Sequence, residues 1–197
     1  MPPRSQAPLR VIRASAKPPP IDSSVLGMLI FIITEVMLFA GLISAFVIVK
    51  SSAMGEWPPP GQPRLPAGET AINTLALLAS GVALYYAGKA FAQERSSARK
   101  PLLAAIGLGA FFVLFQGYEW WGLLAQGLTL TSSLHGSFFY LIVGFHALHA
   151  VVALALLGLA FSKLLRHRLH ASSLAAAQVL WFFVVGVWPI LYALVYW

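Results

Sequence analysis

The chain contains no cysteine, which excludes disulfides, thiolate metal sites and iron–sulfur clusters and leaves no mark of its redox compartment in thiols. Charge is nearly as scarce. Asp, Glu, Lys and Arg make up 10% of the 197 residues, where soluble domains carry about a quarter. A surface that poor in charge cannot face water throughout, so lipid must cover most of it. Histidine is limited to 5 residues, few for a di-iron membrane enzyme. No P-loop, dinucleotide fingerprint, nucleophile elbow or haem-attachment motif occurs, so nothing points to redox chemistry carried out by this chain alone. The first 24 residues lack the apolar core of a signal peptide and read as an uncleaved, Pro-rich basic tail with Arg4, Arg10, Arg13 and Lys17.

What the chain has in abundance is apolar sequence: 59% hydrophobic residues and a mean hydropathy of +0.79. It is gathered into five blocks, at 25–49, 71–91, 102–124, 134–163 and 174–196. Each is long enough to cross a hydrocarbon core that takes about 20 helical residues. Barrel strands would be shorter and alternating, so the spans are helices. The expected fold class is therefore all-α: a polytopic membrane protein, a bundle of five transmembrane helices behind a short tail. Small residues at four-residue spacing (Ala79, Ala83 and Ala87; Gly41 and Ala45) suit close helix packing in lipid, although alanine is simply common here. Five spans do not divide into the equal halves of an inverted-repeat transporter.

The net charge of +7 is laid out by loop, not along a groove, which argues against nucleic acid. The tail, the segment with Lys89, Arg95, Arg99 and Lys100, and the segment with Lys163, Arg166 and Arg168 are basic. In the alternate loops Lys50 and Arg64 are balanced by Glu56 and Glu69, and 129–133 carries no charge. By the positive-inside rule the N-terminus faces the cytoplasm and the C-terminus lies outside. The loop 55–69 holds a cluster of prolines, which makes it a stiff, extended surface cover.

Polar residues inside the spans carry what chemistry there is. Glu35 falls near mid-bilayer, where a carboxylate costs about 2.5–3.5 kcal/mol and needs a partner or a proton. His146 and His149, at i and i+3, share a face of the fourth helix at similar depth. Three readings stay open for this set: a helix-locking pair, proton handling or lipid-headgroup contact, and a metal site. His167 and His170 lie among basic loop residues and are expected in solvent. Glu119, flanked by Tyr118, Trp120 and Trp121, is either an interfacial carboxylate or a buried partner to another helix. Trp57, Trp120 and Trp121 are expected in the interfacial aromatic belts.

These residues also carry a resemblance. GMLIFIITEVMLFAGL (27–42), WPPPGQPRLP with INTLALLASG (57–81), LFQGYEW (114–120) and LHGSFFYLIVGFHALHAVVAL (134–154) are similar, in the same order, to segments of subunit III of the haem–copper terminal oxidases. The likeness runs from about residue 25 to 197. One departure stands out: in WFFVVGVW, Phe182 replaces the family's histidine and Val185 its aspartate, so a polar network through those two is absent. The resemblance implies a non-catalytic subunit of a proton-translocating cytochrome c or quinol oxidase in aerobic electron transport. It would be the short form lacking the first two of seven helices. It would pack on subunit I, with subunit II and a small subunit IV as further partners. It would also bind phospholipid and support proton uptake and stability. Haem and copper are then expected in partner subunits and none in this chain, in a bacterial cytoplasmic membrane. The alternatives are a stand-alone metal-dependent membrane enzyme using Glu35, His146 and His149, and a subunit of a nitric-oxide-reductase-type or other respiratory complex.

Overall fold

A computed structural model describes residues 21–53 and 57–196; the basic tail 1–20 lies outside the described residues. It contains five long helices: α1 Ser23–Ser52, α2 Ala67–Gln93, α3 Arg99–Ala125, α4 Leu134–Leu165 and α5 Ala171–Val195. All five are long and apolar enough to span a membrane, and there is no strand among the described residues. Each begins before, or ends after, its apolar block by a few residues, because helical hydrogen bonding continues past the hydrocarbon into the interface.

Local signals set the ends. Ser133 caps α4 by accepting the Gly136 N–H at 3.0 Å. Pro66 precedes α2, and Glu69 in its first turn favours the positive helix end. Gly68 and Glu69 therefore belong to the helix, and the proline loop is shorter than the sequence suggests. Between α2 and α3 a short 3-10 turn, Arg95–Ala98, follows Glu94. The hydroxyls of Ser96 and Ser97 donate to Glu94 and hold its carboxyl below the usual carboxylate range.

The helices alternate in direction, which gathers the loops at two ends. One end carries the basic segments, with Arg95 and Arg99 near His167; His167 and His170 are both exposed. The other holds the proline loop, the 126–133 connection and the C-terminus, where Tyr192 Oη donates to Ala67 O at 2.8 Å. Trp57 folds back there, edge-on to His135 (ring centroids 5.4 Å) and against Phe46 (5.9 Å). It is half-buried.

The centre is where α2, α3 and α5 meet. The buried face of α2 repeats at helical spacing through Thr70, Asn73, Leu77, Ser80, Leu84, Ala87 and Phe91. Its polar members tie the helices together. Trp181 Nε1 donates to Ser80 Oγ at 2.9 Å, and Ser80 Oγ donates to Ala105 O at 2.9 Å. Asn73 Nδ2 donates to Phe112 O at 3.1 Å, and Trp188 Nε1 to Thr74 Oγ1 at 2.8 Å. In lipid the hydrophobic effect does not drive helices together, so packing and such bonds must. The expected small-residue stripes are not the contact faces: Ala79, Gly41 and Ala45 are exposed, and of that set only Ala87 is fully buried.

Close approach happens instead at Gly109 of α3. A Cβ there would lie 2.6 Å from two ring carbons of Trp181, whereas at Gly107, two residues earlier, it would meet open space. Gly109→Ala should cost about 1–3 kcal/mol as an overpacked seam. Gly107→Ala should be neutral or stabilising by about 0.5–1 kcal/mol. Unfolding titrations in mixed micelles would check the pair, and equal effects would disprove the contact.

Candidate functional site

The first helix brings a carboxyl to the fourth. Glu35 Oε2 stands 3.0 Å from His149 Nε2, with the two side chains 14% and 11% exposed. The contact is off the line of an ideal hydrogen bond, and Oε2 has no aligned donor among the described residues. The other ring nitrogen, Nδ1, is 2.6 Å from Phe145 O. A carbonyl only accepts, so Nδ1 carries hydrogen. The close Nε2–Oε2 contact then needs one further proton, held by the imidazole or by the carboxyl. Either arrangement makes the pair neutral as a unit, which suits its depth: Glu35 lies twelve residues into α1, about 18 Å along it.

His146 does not join this pair. Its ring lies against Trp188 (centroids 5.0 Å, planes 30° apart), with Phe112 and Phe39 edge-on at 6.4 Å. Phe39 also meets His149 at 5.7 Å, so one aromatic ring separates the two histidine environments. Three residues along a helix turn the side chain by about 60°. That is enough to send His149 to α1 and His146 to α3 and α5. Among the described residues no group of three or more His, Asp or Glu is placed to hold a metal ion. Glu35, His146 and His149 thus do not converge as a ligand set.

Glu119 is buried, 5% exposed, and belongs to a second polar cluster. Thr70 Oγ1 of α2 lies 3.0 Å from each of its oxygens, and Gln116 Nε2 donates to Oε2 at 2.7 Å. Gln116 Nε2 is also 3.2 Å from Tyr196 Oη. The carboxyl is therefore a tie between α3 and α2, not an interface residue. Of the aromatics beside it, Trp121 and Tyr118 face outward, at 75% and 73% exposure. Trp120 turns inward onto Tyr140 (5.8 Å) and Phe139 (6.3 Å).

The sequence reading missed Thr70, Gln116, Tyr196 and His135. His135, 2% exposed, sits under Trp57 with neither ring nitrogen partnered among the described residues. A signal existed for Thr70: α2 is the least hydropathic of the five spans, and its polar residues fall on one face. The departure at 182 and 185 is also placed. Phe182 faces outward, while a Cβ on Gly81 would lie 3.1 Å from Val185. The α2–α5 seam at this point is apolar.

The family model for cytochrome c oxidase subunit III matches residues 21–197. Cytochrome c oxidase subunit 3 of Felis catus is 34% identical over 180 residues, covering 87% of this chain and 68% of its own. That of Locusta migratoria is 34% identical over 183 residues, with 87% and 67% covered. That of Homo sapiens is 33% identical over 189 residues, with 91% and 71% covered.

Proposed function

The chain belongs to the cytochrome c oxidase subunit III family, and from that premise we propose that it is a non-catalytic subunit that packs on the haem–copper subunit, binds phospholipid and supports proton uptake and stability. As an oxidase subunit III it is a multi-pass membrane protein of the respiratory chain, associated with other oxidase subunits. The finer reading rests on one observation above the rest: the Glu35–His149 contact joins the first helix to the fourth. A buried polar pair that neutralises itself and closes a helix seam suits a structural role. Haem and copper then belong to partner subunits. The membrane is taken to be a bacterial cytoplasmic one, and the loop charges favour the N-terminus inside.

The test is co-purification in mild detergent with haem quantified. The chain should come out with a haem–copper subunit in fixed ratio. Recovery of the chain alone, or with an unrelated complex, would overturn the assignment. Glu35 refines it. Glu35→Gln keeps the shape and offers an amide hydrogen to Nε2, so the complex should assemble with full haem content and near-native turnover. Glu35→Leu strands that nitrogen and should loosen the subunit by about 1–3 kcal/mol, read as earlier loss from the complex on detergent titration. If both variants abolish electron transfer in fully assembled, fully haem-loaded complex, Glu35 acts in proton conduction and the structural role fails.

A further inference from the structure

Two cavities open beside the proline loop, at the end of the bundle that carries the C-terminus. One, of about 700 Å³, is lined mainly by polar surface, with Lys50, Gln62, Arg64 and His135 in its walls. The other, of about 550 Å³, is lined mainly by apolar surface, with Ile48, Val49 and Leu134 in its walls. Trp57, Pro59 and Pro60 line both and form the partition between them. The fixed φ of the two prolines stiffens that partition.

The charge around this space is one-sided. Lys50 and Arg64 line the polar cavity, and among the described residues neither cavity is lined by Asp or Glu. Lys50 Nζ stands 5.7 Å over the Phe46 ring and reaches Leu194 O only at 3.5 Å. That long contact answers one of the three donors an ammonium carries. Arg64 is exposed and also lines the pocket beside Glu69, but Glu69 does not line the cavity that holds Lys50. The depth is that of lipid headgroups. Lys50 lies fifteen residues beyond Glu35 on α1, about 22 Å along the helix. From mid-bilayer to the outside of the headgroups is about 20–22 Å.

We infer that the two cavities together hold one anionic phospholipid of the leaflet on this side. Its phosphate lies toward Lys50 and Arg64, and the root of an acyl chain runs along Ile48, Val49 and Leu134. This rests on the phospholipid reading above and gives it an address. The partition decides the chemistry of the occupant, because it sets a cationic space within one side chain of an apolar one. A soluble phosphate or an acidic peptide answers the cations and leaves the apolar cavity uncovered. Hydrocarbon alone covers that cavity and leaves both cations unanswered. A phospholipid does both. The net negative headgroup follows from the charges: a choline headgroup would bring a third cation into a space that already has two.

A density map of the assembled complex reconstituted with phosphatidylglycerol tests the site in the unaltered protein. A phosphate peak is expected within about 4 Å of Lys50 Nζ or the Arg64 guanidinium, the reach of an ion pair, with density continuing past Trp57 to Leu134. An empty site refutes the inference, as does an acidic side chain in the polar cavity, from this chain or a neighbouring subunit. Native mass spectrometry of the complex titrated with phosphatidylglycerol gives the second readout. Lys50→Gln and Arg64→Gln should each weaken retention of one lipid about fivefold, the share of a single basic residue at a membrane surface. Glycerol phosphate at the same concentration should displace none, and displacement by it would reduce the site to a phosphate site and sink the proposal. If lipids stay with the complex and both variants hold them as tightly as the unaltered chain, this site fails alone. If no phospholipid of any class stays with the complex, the broader lipid reading falls with it.

Discussion

Trp181→Ala should destabilise the bundle by about 3–5 kcal/mol, the usual cost of truncating a fully packed tryptophan, and is expected to be the most damaging single truncation in α5. The indole is 0% exposed, leaves no room for a Cβ on Gly109 of α3 and is bonded to Ser80 on α2. It therefore holds three helices at one point. Trp181→Phe separates volume from polarity. It keeps an aromatic ring, removes the N–H and leaves a small void, while Ser80 Oγ retains its bond to Ala105 O. Its cost should be nearer 1–2 kcal/mol, about one neutral hydrogen bond plus a small void. Unfolding titrations in mixed micelles give both numbers. If Phe proves as harmful as Ala, the hydrogen bond and not the packing dominates, contrary to this account.

Glu119→Leu should cost about 3 kcal/mol. Hydrogen bonds to charged groups contribute about 1.5–3 kcal/mol each, and the carboxyl accepts from both Thr70 and Gln116. The donors are not left wholly stranded, which sets the ceiling. Thr70 Oγ1 can turn its one hydrogen to Pro66 O, 2.9 Å away, and Gln116 Nε2 has Tyr196 Oη. Glu119→Gln reads the charge. A carboxyl that is neutral in the fold tolerates the amide at about 1 kcal/mol or less, whereas an ionised one loses both charge-assisted bonds, and the variant then matches Leu. A Leu variant indistinguishable from the unaltered chain would show that the cluster contributes nothing to α2–α3 packing.

The five spans were legible in the sequence because hydrocarbon demands an unbroken apolar block, and each block stands alone between polar or proline-rich segments. The meeting of Glu35 with the fourth helix was legible for a related reason: depth is counted along a helix, and few groups at that depth can answer a carboxyl. Which histidine answers was not. It depends on rotation about α4, and the sequence places His146 and His149 on one face. Glu119 was harder still, since the deciding partner, Thr70, lies on another helix whose register only packing fixes. The small-residue stripes misled because alanine and glycine occur on every face of these helices. The seam was chosen by Trp181 needing Gly109, not by a run of small side chains. Trp120 and Trp121 are adjacent, so they must point in different directions, and composition at a given depth does not say which goes inward.

The position of α1 has a consequence for the order of synthesis. Its only fully buried residues are Phe39 and Phe46, and its main contacts are with α5 and α4, which leave the ribosome well after it. His149 follows Glu35 by 114 residues. At about 5–20 residues per second that interval is roughly 6–23 s. Through it the first helix sits in the bilayer with an acidic side chain and no partner from its own chain. The nascent protein must pass through this stage every time it is made, so a chaperone-like grip on α1, by the insertion machinery or by a neighbouring chain already in place, has a defined moment at which to act.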